Sequence, residues 1–248
     1  RRFDGKVVLV TGVARVGQIG HAVALAFGRA GAKLVLCDRN AVEAAARARE
    51  FAAEGIDARP TAGDLTEPDI ARLAVETAIR HFARLDVVVN VAGGLTTFGP
   101  IAGTGVADFD REIAINLKTA FLVSQAAVPA LAETRGVIVN FASVAFFRPQ
   151  DQMAVYAAAK AGVAAFTQSL ALELRDRGVR VNAVAPGMVR TGDNVSSVSG
   201  AKVRWVEMRQ ITDGVLFLAS DAADAITGHV LPITNGAAEG HAVAYPYN

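Results

Sequence analysis

Five short apolar runs separated by long Ala-rich segments constrain this chain more than any other feature: KVVLV at 6–10, KLVLC at 33–37, DVVVNV at 86–91, GVIVNF at 136–141 and VRVNAV at 179–184. Runs that stay apolar at consecutive positions belong to strands covered on both faces, and the helical-period segments between them supply the cover. The pattern predicts an α/β fold with a parallel sheet and helices on both faces. Weaker strands near 57–62 and 229–233 make seven, with helices near 20–30, 41–54, 67–84, 107–132, 153–177 and 209–219. No Pro/Gly/Ser-rich linker divides the chain, so residues 1–248 read as a single domain. The most irregular stretch, TGDNVSSVSGAK at 191–202, reads as a mobile loop of that domain.

The bulk chemistry removes several function classes. A formal net charge of +1 leaves no basic face for nucleic acid. Apolar stretches are broken by charge or glycine before the roughly 18 residues of a membrane span, so none is expected. Phe3-Asp4-Gly5-Lys6 has no signal-peptide character. The single cysteine, Cys37, sits in an apolar strand and reads as core, compatible with the reducing cytoplasm where the chain is expected to work. Histidines 21, 81, 229 and 241 are too scattered for a metal pair, so no metal site is predicted.

In a doubly wound sheet, ligands bind beyond the carboxyl ends of the strands, so the residues there carry the information. After the first run comes TGVARVGQIG at 11–20, a glycine loop leading into a helix, where main-chain amides and the helix N-terminus suit a phosphate. After the others come Asp38, Asp64, Asn90-Val91-Ala92-Gly93 and Ser143. Asp38 follows Gly20 by 18 residues, a distance that suits a carboxylate on the adenosine ribose hydroxyls; taken alone it is equally a turn or cap residue. Tyr156-Ala157-Ala158-Ala159-Lys160 puts both functional side chains on one helical face. With 3 tyrosines and 5 lysines in 248 residues, chance supplies roughly 0.06 such pairs, so the motif is suggestive without deciding the matter. Beside an ammonium, a phenol is expected to titrate below its ordinary value and to serve as acid or base, while Ser143 donates a hydrogen bond to a substrate oxygen.

TGVARVGQIG, Asp38, Asp64, NVAG at 90–93, Asn116, Ser143, YAAAK and Pro186-Gly187, in this order, resemble the short-chain dehydrogenase/reductase family. The resemblance spans nearly the whole chain. It implies a single-domain Rossmann oxidoreductase with Asn116, Ser143, Tyr156 and Lys160 as the catalytic set, Asn116 holding a water that links Lys160 to solvent. The cofactor-binding residues it implies are Gly12, Arg15, Gln18, Ile19, Asp38, Asp64, Leu65, Asn90, Ala92, Gly93, Pro186, Gly187 and Val189, together with Tyr156 and Lys160. The span from Gly12 to Gly20 is two residues longer than the usual family loop and is similar to that of the enoyl-acyl-carrier-protein reductase branch. The spacing of Tyr156 and Lys160 argues against enoyl reduction.

Asp38 points to NAD rather than NADP, with Arg15 and Arg39 as the residues that would welcome a 2′-phosphate. The substrate expected is a small or medium secondary alcohol or ketone in a partly apolar pocket near Leu95, Phe146, Phe147, Gln152, Val189 and Trp205. A 3-oxoacyl-acyl-carrier-protein reductase and a non-catalytic nucleotide sensor are the alternatives. A homodimer or homotetramer is implied by the apolar helices at 107–132 and 153–177. The chain between Pro186 and Phe217 is too short for the family's usual pair of lid helices, so an open substrate mouth and modest substrate affinity are expected.

Overall fold

The structure, a computed structural model, describes residues 2–197 and 203–236. The strands are β1 (Val7–Thr11), β2 (Lys33–Asp38), β3 (Ala58–Ala62), β4 (Val87–Asn90), β5 (Val137–Phe141), β6 (Arg180–Pro186) and β7 (Val230–Ile233). They form one sheet in the order β3-β2-β1-β4-β5-β6-β7, every pairing parallel. The chain winds outward from β1 to β3, returns, and winds the other way from β4. The crevice between the carboxyl ends of β1 and β4 is therefore the topological switch point.

The helices are α1 (Ile19–Arg29), α2 (Ala41–Ala53), α3 (Pro68–Phe82), α4 (Val106–Ile113), α5 (Thr119–Thr134), α6 (Ala154–Leu174), α7 (Gly192–Ser197) and α8 (Met208–Ala219). Val8 and Val10 of β1 join Phe27 of α1 and Ile211, Val215 and Leu218 of α8 in one core. Val7 and Leu9 of the same strand join Ala74 and Ala78 of α3 and Leu122 and Leu131 of α5 in another. Both faces of each central strand are thus spoken for, which is why the strands show no polar alternation. Cys37 is buried in the second core, where desolvation and the neighbouring Asp38 push its thiol up to about 12, so it behaves as an apolar residue.

Two segments depart from the expectation. The helix expected over 107–132 is broken into α4 and α5 by a five-residue π turn, Ala114–Lys118, that carries Asn116. Together they form a continuous helical run, Val106–Thr134, that is long and apolar enough by composition to cross a bilayer. It nevertheless carries Lys118, and Leu122, Val123, Ala127 and Leu131 pack into the core. The loop expected over 191–202 holds α7 instead at Gly192–Ser197. The Asn194 N–H donates to the Thr191 hydroxyl at 3.2 Å and the Asn194 amide to the Val189 carbonyl at 2.8 Å. The same polar residues that read as a loop supply a helix with its caps. Between Pro186 and Phe217 this is the one helix before α8 among the described residues, and residues 198–202 of that stretch lie outside them.

Candidate active site

The glycine loop is built so that helix α1 begins against the end of β1. Gly12 has a φ of +73°, and a Cβ there would lie 3.0 Å from the Ala92 Cα. A Cβ on Gly20 would come 2.0 Å from the Gly12 carbonyl oxygen. No longer residue fits that approach. Gln18 is the N-cap of α1 and its side chain caps nothing; no acidic residue lies in the first turn. The amides of that turn, Ile19 among them, are thus available to an anion rather than to a side chain. Thr11 ties the two strands of the crevice, its hydroxyl accepting the Val91 and Ala92 N–H groups, each at 3.0 Å.

Asp38 stands at the end of β2 with one carboxylate oxygen accepting the Ala14 N–H at 2.9 Å and the other the Asn40 N–H at 3.1 Å. These bonds aim it at the glycine loop and leave lone pairs on both oxygens for hydroxyl donors. Asp64 accepts the Thr66 N–H at 2.9 Å, the main cause of a carboxyl held below its usual range, with Arg39 and Lys118 adding to it. Leu65 and Val189 turn their side chains into the core, so only their main chain can reach a ligand. Arg15 pairs with Asp193 of α7 at 2.6 Å, an exposed pair that holds its guanidinium across the loop.

Asn90 ends β4 and donates to Asn140 at 2.9 Å and Ser124 at 3.1 Å, bracing the sheet, while its own oxygen is buried without a partner. Beyond it, Gly93 has a φ of +136° and presses so close to the π turn that a Cβ would stand 2.6 Å from the Asn116 Oδ1. The Asn116 amide accepts the Gly94 N–H at 3.0 Å and donates to the Gly94 carbonyl at 2.9 Å. Its side chain is therefore a clamp on the loop after β4.

Ser143 follows β5 and Tyr156 and Lys160 lie on the first turns of α6, and the three side chains converge. The Ser143 hydroxyl lies on the Tyr156 phenol's side of the site, where it lowers that group, and accepts the Ala145 N–H at 3.2 Å. The Lys160 ammonium donates to the Phe141 carbonyl at 2.8 Å and sits 5.8 Å from the centre of the Tyr156 ring. Burial brings Lys160 down to about 8, against the opposing charge of Glu112. The expectation that Lys160 lowers Tyr156 is corrected here. Burial, the largest cause, pushes the phenol up, Ser143 opposes it, and Glu112 adds to the rise. Pro186 closes β6, and the Gly187 N–H donates to the Ile233 carbonyl at 2.9 Å.

Glu112 was not foreseen. It reads as part of the charged run Asp108-Phe109-Asp110-Arg111-Glu112, yet it is fully buried. The signal available was its position four residues before Asn116, which puts both on one face.

The fit to a nicotinamide dinucleotide rests on three observations: the cradle that a Cβ on Gly20 would fill, the uncapped start of α1, and a carboxylate at the end of β2. Residues 6–201 match the family model for short chain dehydrogenases. The chain is 36% identical to a D-threitol dehydrogenase of Mycolicibacterium smegmatis, covering 95% of this chain and 94% of that protein. It is 34% identical to a 3-oxoacyl-acyl-carrier-protein reductase of Thermotoga maritima, covering 95% and 98%. It is 33% identical to a versicolorin reductase of Emericella nidulans, covering 95% and 97%. A solved short-chain dehydrogenase/reductase from Burkholderia xenovorans superposes with a TM-score of 0.88 at 30% identity, covering 95% of this chain and 97% of that one. The fold, the motif order and these matches agree, and the chain belongs to the short-chain dehydrogenase/reductase family, whose members typically use nicotinamide cofactors.

Proposed function

We propose that the protein is an NAD(H)-linked oxidoreductase interconverting a small or medium secondary alcohol and its ketone, with Tyr156 as the proton-transfer group. The observation that carries this reading is the convergence of Ser143, Tyr156 and Lys160 beside the switch-point crevice. When bound, the nicotinamide supplies the two-electron exchange with the substrate carbon. Ser143 donates a hydrogen bond to the substrate oxygen, where charge develops. Tyr156 passes its proton to that oxygen in reduction and takes it back in oxidation. Burial keeps the phenol protonated in the free protein, which is the form that reduction needs. A panel of secondary alcohols and ketones, followed by the absorbance of reduced nicotinamide with Tyr156→Phe as the blank, tests the reading; turnover equal in both proteins overturns it.

Carrier-linked 3-oxoacyl reduction is the second reading, favoured by the Thermotoga relative. Against it, Ala130-Leu131-Ala132-Glu133 on α5 and Ser169-Leu170-Ala171-Leu172 on α6 offer no cation to an acidic carrier.

Cofactor choice follows from Asp38. A 2′-phosphate about 4 Å from its carboxylate meets a repulsion of about 4 kcal/mol at an effective dielectric near 20, before solvent and side chains relax. Arg15 is already engaged with Asp193, which leaves Arg39 as the exposed cation beside it. Steady-state kinetics are expected to show at least about a tenfold preference for NAD, some 1.4 kcal/mol, and Asp38→Ser to narrow or reverse it. Equal efficiency with NADP in the unmodified protein overturns the assignment.

Assembly follows from exposed apolar side chains on the helical layer of β4 to β6. Phe121 on α5 and Leu172 on α6 are 41% and 64% exposed, and Phe109 of α4 is 47% exposed. We propose a homodimer or homotetramer through these helices. Light scattering at micromolar concentration is expected to report the dimer or tetramer mass, and a monomer alone contradicts it.

A further inference from the structure

One ion pair reaches from the glycine loop to the far side of the carboxyl edge. The Arg15 Nη2 donates to Asp193 of α7, 2.7 Å from Oδ1 and 2.6 Å from Oδ2, across 178 residues of sequence. Other exposed pairs, such as Arg72–Asp69, Arg111–Asp108 and Arg209–Asp213, lie within single helices. Both ends of the long pair stand on fixed bases. Asp38 holds the Ala14 N–H at 2.9 Å and so sets the loop beside Arg15. On the other side the Arg190 N–H donates to the Val206 carbonyl at 2.8 Å and the Val206 N–H to the Met188 carbonyl at 2.9 Å. The Asn194 bonds to Thr191 and Val189 seat α7 on that segment. Strands β1, β4, β5 and β6 are successive neighbours in the sheet. The loop after β1 and the segment after β6 therefore leave its edge about 14 Å apart, three strand spacings of about 4.8 Å. A bond between them spans the part of the edge from which β4 and β5 emerge, where Asn90 and Ser143 stand.

We propose that Arg15 and Asp193 form a strap across the dinucleotide crevice that sets how fast the cofactor enters and leaves. The inference rests on the reading of that crevice as a nicotinamide dinucleotide site. A glycine loop longer than the usual family loop here meets a segment with one short helix before α8 among the described residues, and the two close on each other through a single charge pair. With side chains 67% and 52% exposed, the pair opens without disturbing any packing. A dinucleotide moving in either direction passes it, so its loss speeds entry and release by the same factor and leaves affinity nearly unchanged. An Arg15 that bonds a cofactor phosphate has a different signature. Loss of that contact raises release and weakens affinity together, whereas loss of the Asp193 charge removes a repulsion beside the phosphates and slows release.

Stopped-flow mixing of NADH with the whole protein, followed by the fluorescence of the reduced nicotinamide, reads the entry rate, and displacement of bound NADH by excess NAD reads the release rate. The variants are Arg15→Gln, Asp193→Asn and the two together, each of which keeps shape and removes charge. Each single variant is expected to raise both rates about two- to fivefold, the range of an exposed ion pair, with the dissociation constant within about twofold of wild type. The double variant is expected to match the singles, because one interaction is lost only once. Release that rises in Arg15→Gln with weakened affinity, and that stays or slows in Asp193→Asn, assigns Arg15 to the phosphates and overturns the strap. Rates unchanged in both variants overturn it as well, while the reading of the crevice stands because NADH still binds. A wild-type protein that binds no NADH removes that reading and the strap with it.

Discussion

Replacing Tyr156 with phenylalanine is expected to lower kcat by at least about a hundredfold while NAD binding stays within about threefold of wild type, the range in which a lost general acid acts. The ring is what packs: Tyr156 lies against the Lys160 ammonium and within the wall formed by α6, and phenylalanine keeps those contacts. What disappears is the hydroxyl that meets Ser143. The loss should therefore fall on kcat and on kcat/KM alike, the pattern of a group that acts in the transition state. Lys160→Ala differs in kind, because its ammonium also holds the Phe141 carbonyl at the carboxyl end of β5. That variant should damage cofactor binding as well as turnover. Steady-state kinetics together with calorimetric titration of NAD read the two quantities separately. A Tyr156→Phe protein that keeps most of its turnover means that another group carries the proton.

The pH dependence has a defined sign. Reduction needs Tyr156 protonated and Lys160 charged, and Lys160 loses its proton at about 8 in the cofactor-free protein. A reaction that depends on that cation weakens as pH rises through this value.

What the sequence disclosed and what it hid divide along a physical line. The strands were legible because both faces of β1, β4 and β5 are buried, which forces apolar residues at consecutive positions. Asp38, Ser143 and Tyr156-Lys160 were legible because a parallel sheet delivers the carboxyl ends of its strands to one side. The π turn was not, since no local propensity announces it. It accompanies a bond between Asn116 and Gly94, 22 residues earlier in the chain. Glu112 was hidden for a related reason. On an isolated helix DFDRE is a solvated face, and only the docking of loop 94–97 turns one of its charges inward. The titration of Tyr156 was misjudged because the spacing to Lys160 gives proximity without burial, and burial decides the direction here. The Arg15–Asp193 pair was hidden because the polar stretch that forms α7 reads as loop.

The longer glycine loop makes the second strong prediction, since its two extra residues raise the question of whether the cradle still closes. It closes at one point. A Cβ on Gly20 would stand 2.0 Å from the Gly12 carbonyl oxygen and 3.2 Å from that of Thr11, both main-chain atoms at the end of a central strand. Neither can rotate away as a side chain would. Gly20→Ala must push α1 off β1, and overpacking of this kind costs about 1–3 kcal/mol. At roughly 2–4 °C per kcal/mol for a chain of this size, the melting temperature should fall by about 2–12 °C. The same displacement carries the Ile19 amide away from the position a pyrophosphate would take, so NAD affinity should drop at least about tenfold. Gly17→Ala is the matched comparison: its φ of +76° imposes backbone strain, but nothing lies within 4 Å of its Cβ. It should cost about 1 kcal/mol and leave NAD affinity within a few-fold. Thermal melts and NAD titrations of the two variants decide between steric closure and loop flexibility. A Gly20→Ala protein that melts and binds NAD like Gly17→Ala would place the dinucleotide away from the α1 terminus and remove the basis for reading this loop as its cradle.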